Sequence, residues 1–298
     1  MQTAKGFHPG KVCAWGGTIN SNLQCKRDLC SMGVYAKMIL SNAAKQGGSG
    51  MFYFERCYDI DALVRRNMHI HTNFSRCAQQ TMTLENIVRE AERCGLVEIA
   101  ITDHSDIWMY DHTVAQNEIL KQQRDRIDTD VRIRIGAEIS LYGIGKYSQT
   151  PEEMAAMEYR LFAQNHYHVE GWEQPEDRTP EGYARHTLAC LEELFTTDYA
   201  DCVAHPIVPV KLNRIRHPEQ MLDYIRDNDL GDILEKGERA GCAWELHRGG
   251  VHFFPAFSRR YFNIGREVGA HFAFAADAHK LEDIDPSTVA EEYKKILL

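Results

Sequence analysis

The sequence lacks the features that mark secreted and membrane-spanning proteins. It has nine cysteines, an odd number, and no two of them form a Cys-x-x-Cys pair, so neither a complete disulfide framework nor a common zinc-ribbon spacing is indicated. No apolar run is long enough for a transmembrane helix, and the N-terminus has no apolar secretory segment. We therefore expect a cytoplasmic protein with reduced thiols and no membrane partner.

The sequence also lacks a surplus of basic residues. The formal net charge is -9 at pH 7, whereas non-specific binding to nucleic-acid phosphates needs a basic surface. The hydrophobic share of 44% and the charged share of 26% are typical of a folded soluble domain. The composition excludes a non-specific nucleic-acid-binding protein, but it is compatible with a small anionic ligand if metal ions or a few arginines reverse the local field.

Two parts of the chain differ in their pattern. Residues 1–50 have little periodicity and end in the linker-like KQGGSG. Three cysteines in this part (Cys13, Cys25 and Cys30) fit no common metal-site spacing, and we expect plain thiols. The sequence predicts an N-terminal extension of unknown role over residues 1–50 and a main domain over residues 51–298.

The main domain alternates short apolar runs with amphipathic segments. A helix is predicted over residues 84–94 with Thr83 as its N-cap, and another begins at Pro180. A strand followed by a helix, repeated about seven times, indicates a parallel sheet with helical crossovers, and a length of about 240 residues favours a closed (β/α) barrel. The predicted strands are 68–71, 97–102, 131–139, 161–168, 202–205, 242–246 and 272–276.

Histidines and carboxylates stand where the apolar runs end. The two-residue period of a strand puts His69 and His71 on one face, although a single pair of this kind is common on protein surfaces. A parallel barrel exposes the carboxyl ends of its strands at one mouth, so we expect these side chains to converge there. The further residues at strand ends are Asp103, His104, Glu138, His166, His168, His205, Asp277 and His279.

This set of side chains predicts a metal centre. Imidazole and carboxylate are the ligands that zinc, iron and manganese accept in proteins. The set has about nine members, which is more than one ion can use. We therefore expect more than one divalent ion.

Five segments in order, HIHTNFS, AITDHSD, GAEISL, VAHP and ADAHK, resemble the PHP (polymerase and histidinol phosphatase) superfamily over roughly residues 60–285. The resemblance implies an α/β fold, namely a distorted (β/α)7 TIM-like barrel, and a cluster of two or three divalent ions (Zn, Mn or Fe). His247 and His252 have no counterpart in it, and we expect them to be ordinary polar residues.

The resemblance also implies how the ligands are shared. Cys77 stands where many relatives have histidine, and it is either a thiolate ligand or a buried small hydrophobe. The segment NHYH offers both His166 and His168 where the pattern needs one ligand. The implied groups are His69, His71, Glu138 and Asp277 for one ion; Glu138, His205 and His166 or His168 for a second; and His104, His279 and Cys77 for a third.

A centre of this kind implies phosphoesterase chemistry. We expect hydrolysis of a small phosphorylated metabolite by a metal-bridging hydroxide, with Glu138, Asp277 and His205 at the reacting centre. Asp103 either orients an imidazole from outside the ligand set or stabilises a turn. The alternatives are an amidohydrolase-type metal hydrolase and a non-catalytic binding or scaffold module. For the substrate phosphate we expect cations near the mouth, with Lys211, Arg214, Arg216 and Arg248 as the candidates.

Overall fold

The structure is a computed structural model that describes residues 55–105, 110–209 and 212–298. The predicted extension with its three cysteines lies outside the described residues, and so does Lys211. Within the described ranges, every helix is too short or too polar to cross a lipid bilayer.

Seven parallel strands close into a barrel, which confirms the predicted α/β fold. Around the ring the order is β1, β9, β8, β7, β6, β4 and β2, and the pairing of β2 with β1 completes it. Two short strands, β3 and β5, pair with the outer part of β4. The strands are β1 (Arg66–Ile70), β2 (Glu98–Ile101), β3 (His104–Ser105), β4 (Arg132–Gly143), β5 (Lys146–Tyr147), β6 (Tyr159–Ala163), β7 (Cys202–Val203), β8 (Ala243–His247) and β9 (Phe272–Ala275).

Helices surround this barrel and connect its strands. The first long helix begins as predicted, because the Thr83 hydroxyl accepts a hydrogen bond from the Asn86 backbone N–H at 3.3 Å. The described helices are α1 (Ile60–Leu63), α2 (Leu84–Arg93), α3 (Tyr110–Arg124), α4 (Pro151–Ala155), α5 (Pro180–Leu194), α6 (Asp227–Ala240), α7 (Arg248–Phe253), α8 (Pro255–Val268) and α9 (Ser287–Leu297), with 3-10 turns at Pro218–Tyr224 and Leu281–Asp283.

The inside of the barrel is filled mainly by small side chains. Met68, Tyr159 and Leu161 are its large apolar residues, and alanines and one cysteine supply most of the rest. Close packing requires Gly136 on β4, because a Cβ atom there would lie 1.8 Å from the carbonyl oxygen of Tyr159 on β6. The polar side chains of the barrel mouth lie directly above this tightly packed interior.

One predicted strand is too long. The prediction extended the strand over residues 161–168, but β6 ends at Ala163, so His166 and His168 lie in the following loop. The Asn165 side chain explains the departure, because its amide donates hydrogen bonds to the carbonyls of His205 (2.9 Å) and Val208 (2.6 Å). These bonds tie the loop after β6 to the loop after β7.

Candidate metal centre

The carboxyl ends of the strands bring most of the predicted ligands together. Three sets of side chains each place their ligand atoms within 4.8 Å of one another. The sets share members, so they form one continuous cluster and not three separate sites. They are His69, His71 and Glu138; His104, Glu138 and His166; and His71, His104 and His279.

The innermost group has the spacing of a four-coordinate ion. The Nε2 atoms of His69 and His71 are 3.1 Å apart, and Asp277 Oδ1 lies 3.4 and 3.0 Å from them. Glu138 Oε2 lies 3.5 and 3.7 Å from the same two nitrogens. Ligands about 2.0–2.1 Å from a tetrahedral ion lie about 3.3 Å from one another. The donor types and their spacing therefore fit such an ion.

Glu138 joins this group to a second one. Its Oε1 lies 2.8 Å from His205 Nε2 and 3.6 Å from His166 Nε2, while its Oε2 lies 2.7 Å from His104 Nδ1. His166 faces the carboxylate of Glu138, and the ring centroid of His168 lies 5.5 Å from that of His166. The geometry therefore favours His166 over His168.

His104, His279 and Cys77 lie at the outer part of the cluster. His279 stacks on His71 with ring centroids 4.3 Å apart, and its Nε2 lies 3.1 Å from Cys77 Sγ. Cys77 is exposed, so it is not a buried small hydrophobe. Burial alone would raise the pKa of its thiol, but hydrogen bonds from His104 and His279 lower it to about 6. The thiolate form that a metal ligand needs is therefore accessible near neutral pH.

Most of the ligand candidates are held in the protonation states that metal ions require. Burial opposes ionisation of Glu138, yet the imidazoles of His104 and His166 hold the pKa of this carboxyl well below its usual range. Burial also lowers the pKa of His71 to about 3, and it holds the pKa of His166 well below its ordinary value. An ionised carboxylate beside neutral imidazoles has lone pairs ready for a cation.

His279 and His69 are the exceptions. Burial alone would lower the pKa of His279, but its hydrogen bond with Cys77 and the charge of Asp277 raise it. The upward shift is larger at His69. Burial alone would lower the pKa of His69 too, but the nearby carboxylates of Glu245, Asp277 and Glu138 raise it well above the ordinary value. The raised pKa therefore favours the cationic form of the metal-free ring, with a proton on both nitrogens. Binding of an ion to His69 Nε2 must displace the proton on that nitrogen.

Glu245 on β8 is a functional residue that the sequence analysis missed. Its side chain is fully buried, and its Oε1 lies 2.9 Å from His69 Nδ1. Its Oε2 accepts a hydrogen bond from the backbone N–H of His205 at 2.6 Å. A carboxylate on the far nitrogen of a ligating histidine fixes the orientation of the ring. Glu245 therefore positions two candidate ligands, His69 on β1 and His205 in the loop after β7.

Asp103 lies behind the ligands. Its carboxylate accepts hydrogen bonds from the backbone and hydroxyl of Thr72 (2.8 and 2.6 Å) and from the hydroxyl of Ser75 (2.6 Å). The Ser75 hydroxyl in turn lies 3.2 Å from His71 Nδ1. The contacts fit the orienting role, with His71 as the oriented imidazole and not the neighbouring His104.

His247 also lies at the site, although the sequence analysis set it aside. Its Nδ1 accepts a hydrogen bond from the Gly250 backbone N–H at 3.0 Å, which makes it the N-cap of α7. Its Nε2 lies 3.5 Å from Asp277 Oδ2. Glu245 and His247 show the two-residue period that marks His69 and His71, so this signal was present in the sequence.

Backbone strain is concentrated at the same place. Among the described residues, the non-glycine residues with positive φ are His205 (30°), Ile207 (68°) and Asp277 (52°). A β-branched residue such as Ile207 rarely adopts this conformation, so the surrounding structure must hold it. The bonds of Asn165 and Glu245 to the His205 backbone supply that restraint.

Two of the predicted phosphate-binding cations, Arg214 and Arg248, lie near the loops of the mouth. Arg214 is exposed, and its guanidinium donates hydrogen bonds to the carbonyls of Tyr167 (3.1 Å) and His168 (3.3 Å), next to the loop of His166. Arg248 follows directly after β8, with its Nη1 3.8 Å from Asp283 Oδ1. Arg216 is exposed.

Comparisons with known proteins agree with this geometry. Residues 67–191 match the family model described as PHP domain. The fold is similar to a candidate histidinol phosphatase (hisK) of Listeria monocytogenes, with a TM-score of 0.52, 14% identity, and 75% of this chain and 99% of that chain covered. It is also similar to a histidinol phosphate phosphatase of Lactococcus lactis bound to zinc, L-histidinol and phosphate, with a TM-score of 0.50, 14% identity and 78% and 91% covered.

The structural likeness and the family model support different conclusions about this chain. Structural likeness at 14% identity shows a common fold, and the family model adds a match in sequence over part of the barrel. No curated protein sequence matches this chain. Residues 67–191 therefore match the PHP domain family in sequence, and the chain shares the fold of these two proteins.

Proposed function

We propose that residues 51–298 form a metal-dependent phosphoesterase that hydrolyses a small phosphorylated metabolite at a centre of two or three divalent ions. The observation that carries this proposal is the position of Glu138. One of its carboxylate oxygens faces His205 and His166, and the other faces the group that contains His69 and His71. A buried carboxylate with imidazoles at both oxygens is suited to bridging two cations.

The ligands would divide among the ions as the family resemblance implies. When bound, the ions would supply an activated water molecule near neutral pH and positive charge for the phosphoryl oxygens. The inner ion would be held by His69, His71, Glu138 and Asp277. The second would be held by Glu138, His205 and His166, and the outer one by His104, His279 and Cys77.

Two carboxylates outside the proposed ligand set fix the orientation of ligand imidazoles. Glu245 and Asp103 hold imidazole rings from behind, so their Nε2 atoms face the cluster without needing to reorient. We propose that Arg214, Arg216 and Arg248 bind the substrate phosphate at the mouth. A phosphate monoester is the preferred substrate class, because the Lactococcus lactis protein binds L-histidinol and phosphate, and histidinol phosphate is one candidate.

Reconstitution with metal tests the activity. Protein stripped by a chelator should lose phosphatase activity and regain it with Zn²⁺, Mn²⁺ or Fe²⁺, with phosphate monoesters, diesters and cyclic amides assayed in parallel. Glu138→Gln should abolish both activity and uptake of the second ion. Glu98→Gln is the matched control, because Glu98 is a buried carboxylate bonded to Arg134 at the other end of the barrel.

Three outcomes would count against the proposal. Activity that survives complete removal of metal would exclude metal-dependent hydrolysis. Uptake of metal with turnover of cyclic amides only would indicate an amidohydrolase-type enzyme. Protein that takes up less than one equivalent of any of these ions would fit a non-catalytic module.

Phosphate binding is tested separately. Replacing Arg214, Arg216 and Arg248 together with glutamine should raise KM for a phosphate monoester while metal content stays unchanged. Arg185→Gln is the control, because this arginine is exposed on α5 and pairs with Asp177 and Glu181. An unchanged KM in the triple variant would remove these residues from the substrate site.

A further inference from the structure

We propose that His247 is a positioning residue that holds Asp277 in place through its Nε2 atom. The inference rests on the proposed metal centre, since Asp277 is one of its ligands. His247 adds a contact that the family resemblance does not predict, and it links the start of α7 to the loop after β9. The contacts of His247 determine which of its two ring nitrogens carries a proton and which oxygen of Asp277 the ring faces.

The start of α7 determines the tautomer of His247. The backbone N–H of Gly250 points at Nδ1 over 3.0 Å, so Nδ1 must offer a lone pair. In the neutral ring the proton is then on Nε2. The residue is 9% exposed, and its ring centroid lies 5.3 Å from that of His205, so the Nε2–H group points into the cluster and not into bulk water.

Asp277 is the residue that needs this support. Its Oδ1 lies 3.0 Å from His71 Nε2, while its Oδ2 lies 3.5 Å from His247 Nε2. Asp277 lies beyond the end of β9 with a φ of 52°, in the left-handed region that aspartate adopts more readily than most non-glycine residues. The contact of 3.5 Å is longer than an ordinary N–H···O hydrogen bond, so it is an electrostatic contact between the ring and the carboxylate. This contact at Oδ2 leaves Oδ1 directed towards the two imidazoles.

The same contacts exclude proton transfer as the role of His247. A general acid at this position would need protons on both ring nitrogens, and a proton on Nδ1 would face the Gly250 N–H group directly. His247 is therefore a fixed dipole beside Asp277 and not a proton carrier. Its loss should weaken binding of the inner ion and leave the form of the pH profile of kcat unchanged.

Two substitutions separate the two contacts of His247. In His247→Asn the side-chain oxygen occupies the place of Nδ1, so the helix cap is kept but the group facing Asp277 is lost. In His247→Gln the amide nitrogen takes the place of Nε2, so the group facing Asp277 is kept and the cap is lost. The two variants are thus each other's controls.

The measurement is the Zn²⁺ affinity of chelator-stripped protein, obtained by competition with a chromophoric chelator, together with the thermal unfolding of the metal-free protein. We expect His247→Asn to bind its tightest equivalent of Zn²⁺ about 10–100-fold more weakly, as is usual when a supporting partner of a ligand is removed, with unfolding like that of the wild type. We expect His247→Gln to bind within about threefold of the wild type and to unfold at a lower temperature.

Other outcomes overturn the inference. If both variants lose affinity equally, or neither does, His247 has no positioning role at Asp277. Loss of the basic limb of the kcat profile in both variants would make His247 a proton carrier instead. If wild-type protein takes up no Zn²⁺, the metal centre itself fails and the inference fails with it, whereas a wild type that binds Zn²⁺ isolates the effect of His247.

Discussion

The thiol of Cys77 gives the sharpest test of the outer part of the metal centre. Metal-free protein is treated with iodoacetamide over a range of pH, and modified Cys77 is quantified by peptide mass spectrometry. With the pKa lowered from 9.0 to about 6 by the two imidazoles, against the effect of burial, about 90% of this thiol is ionised at pH 7, compared with about 1% of an ordinary one.

The expected magnitude follows from two opposing effects. A thiolate of lower pKa is also a weaker nucleophile, and a Brønsted slope of about 0.4–0.5 over three pKa units makes it about 20-fold less reactive. The net rate at pH 7 is then only about fourfold above that of an ordinary thiol. The diagnostic quantity is therefore the midpoint of the pH profile, which we expect near pH 6, with a plateau above it.

Controls within the same protein make the experiment decisive. Cys94, whose pKa is raised to about 11 by burial and by nearby carboxylates, should react only at strongly basic pH in the same digest. His279→Asn should move the Cys77 midpoint upward, because it removes one of the imidazoles in contact with the thiol. A wild-type midpoint near 9, or one that His279→Asn does not move, would refute the reasoning. Zn²⁺ that fails to slow alkylation would remove Cys77 from the proposed ligands.

Three further predictions concern the inner ion, a helix cap and the barrel wall. Burial alone would lower the pKa of His69, but the nearby carboxylates raise it. Zn²⁺ binding should therefore release about one proton, and the Zn²⁺ affinity should increase as pH rises. Calorimetry in buffers of different ionisation enthalpy measures the proton release, and a pH-independent affinity would contradict the prediction. Thr83→Ala should lower the free energy of unfolding in urea by about 1 kcal/mol, and altered metal content would contradict a role confined to the cap. Gly136→Ala should greatly lower the melting temperature, because the new Cβ would meet the Tyr159 carbonyl at 1.8 Å; Gly231→Ala, with no atom closer than 3.7 Å, is the tolerated control.

Much of the barrel was predictable because each strand is a short apolar run between helical patterns. The alternation that puts His69 and His71 on one face needs no knowledge of the tertiary structure, and the structure confirms that these rings meet. The role of Glu245 depends on which strands become neighbours when the barrel closes, and one sequence does not show this. Its spacing from His247 was visible, but only the folded loop shows that the ring faces Asp277.

The limits of prediction are clearest where the strands end. His166 was predicted on a strand, and it lies instead in a loop whose course depends on the bonds that Asn165 makes to a distant segment. Polar residues at the end of an apolar run are compatible with either outcome. Distinguishing His166 from His168 therefore required the distances to Glu138 and not the spacing along the chain.

The position of β1 next to β9 has a consequence for biosynthesis. The backbone N–H of His71 donates to the Ala278 carbonyl at 3.0 Å, and that of Ala278 donates to the His69 carbonyl at 3.2 Å. A nascent chain on the ribosome therefore presents its first ligands long before the partners that complete the inner group have been translated. Loading of the proposed inner ion must wait for the last strand, and polypeptides terminated before Asp277 are expected to lack that ion and to be open to proteolysis.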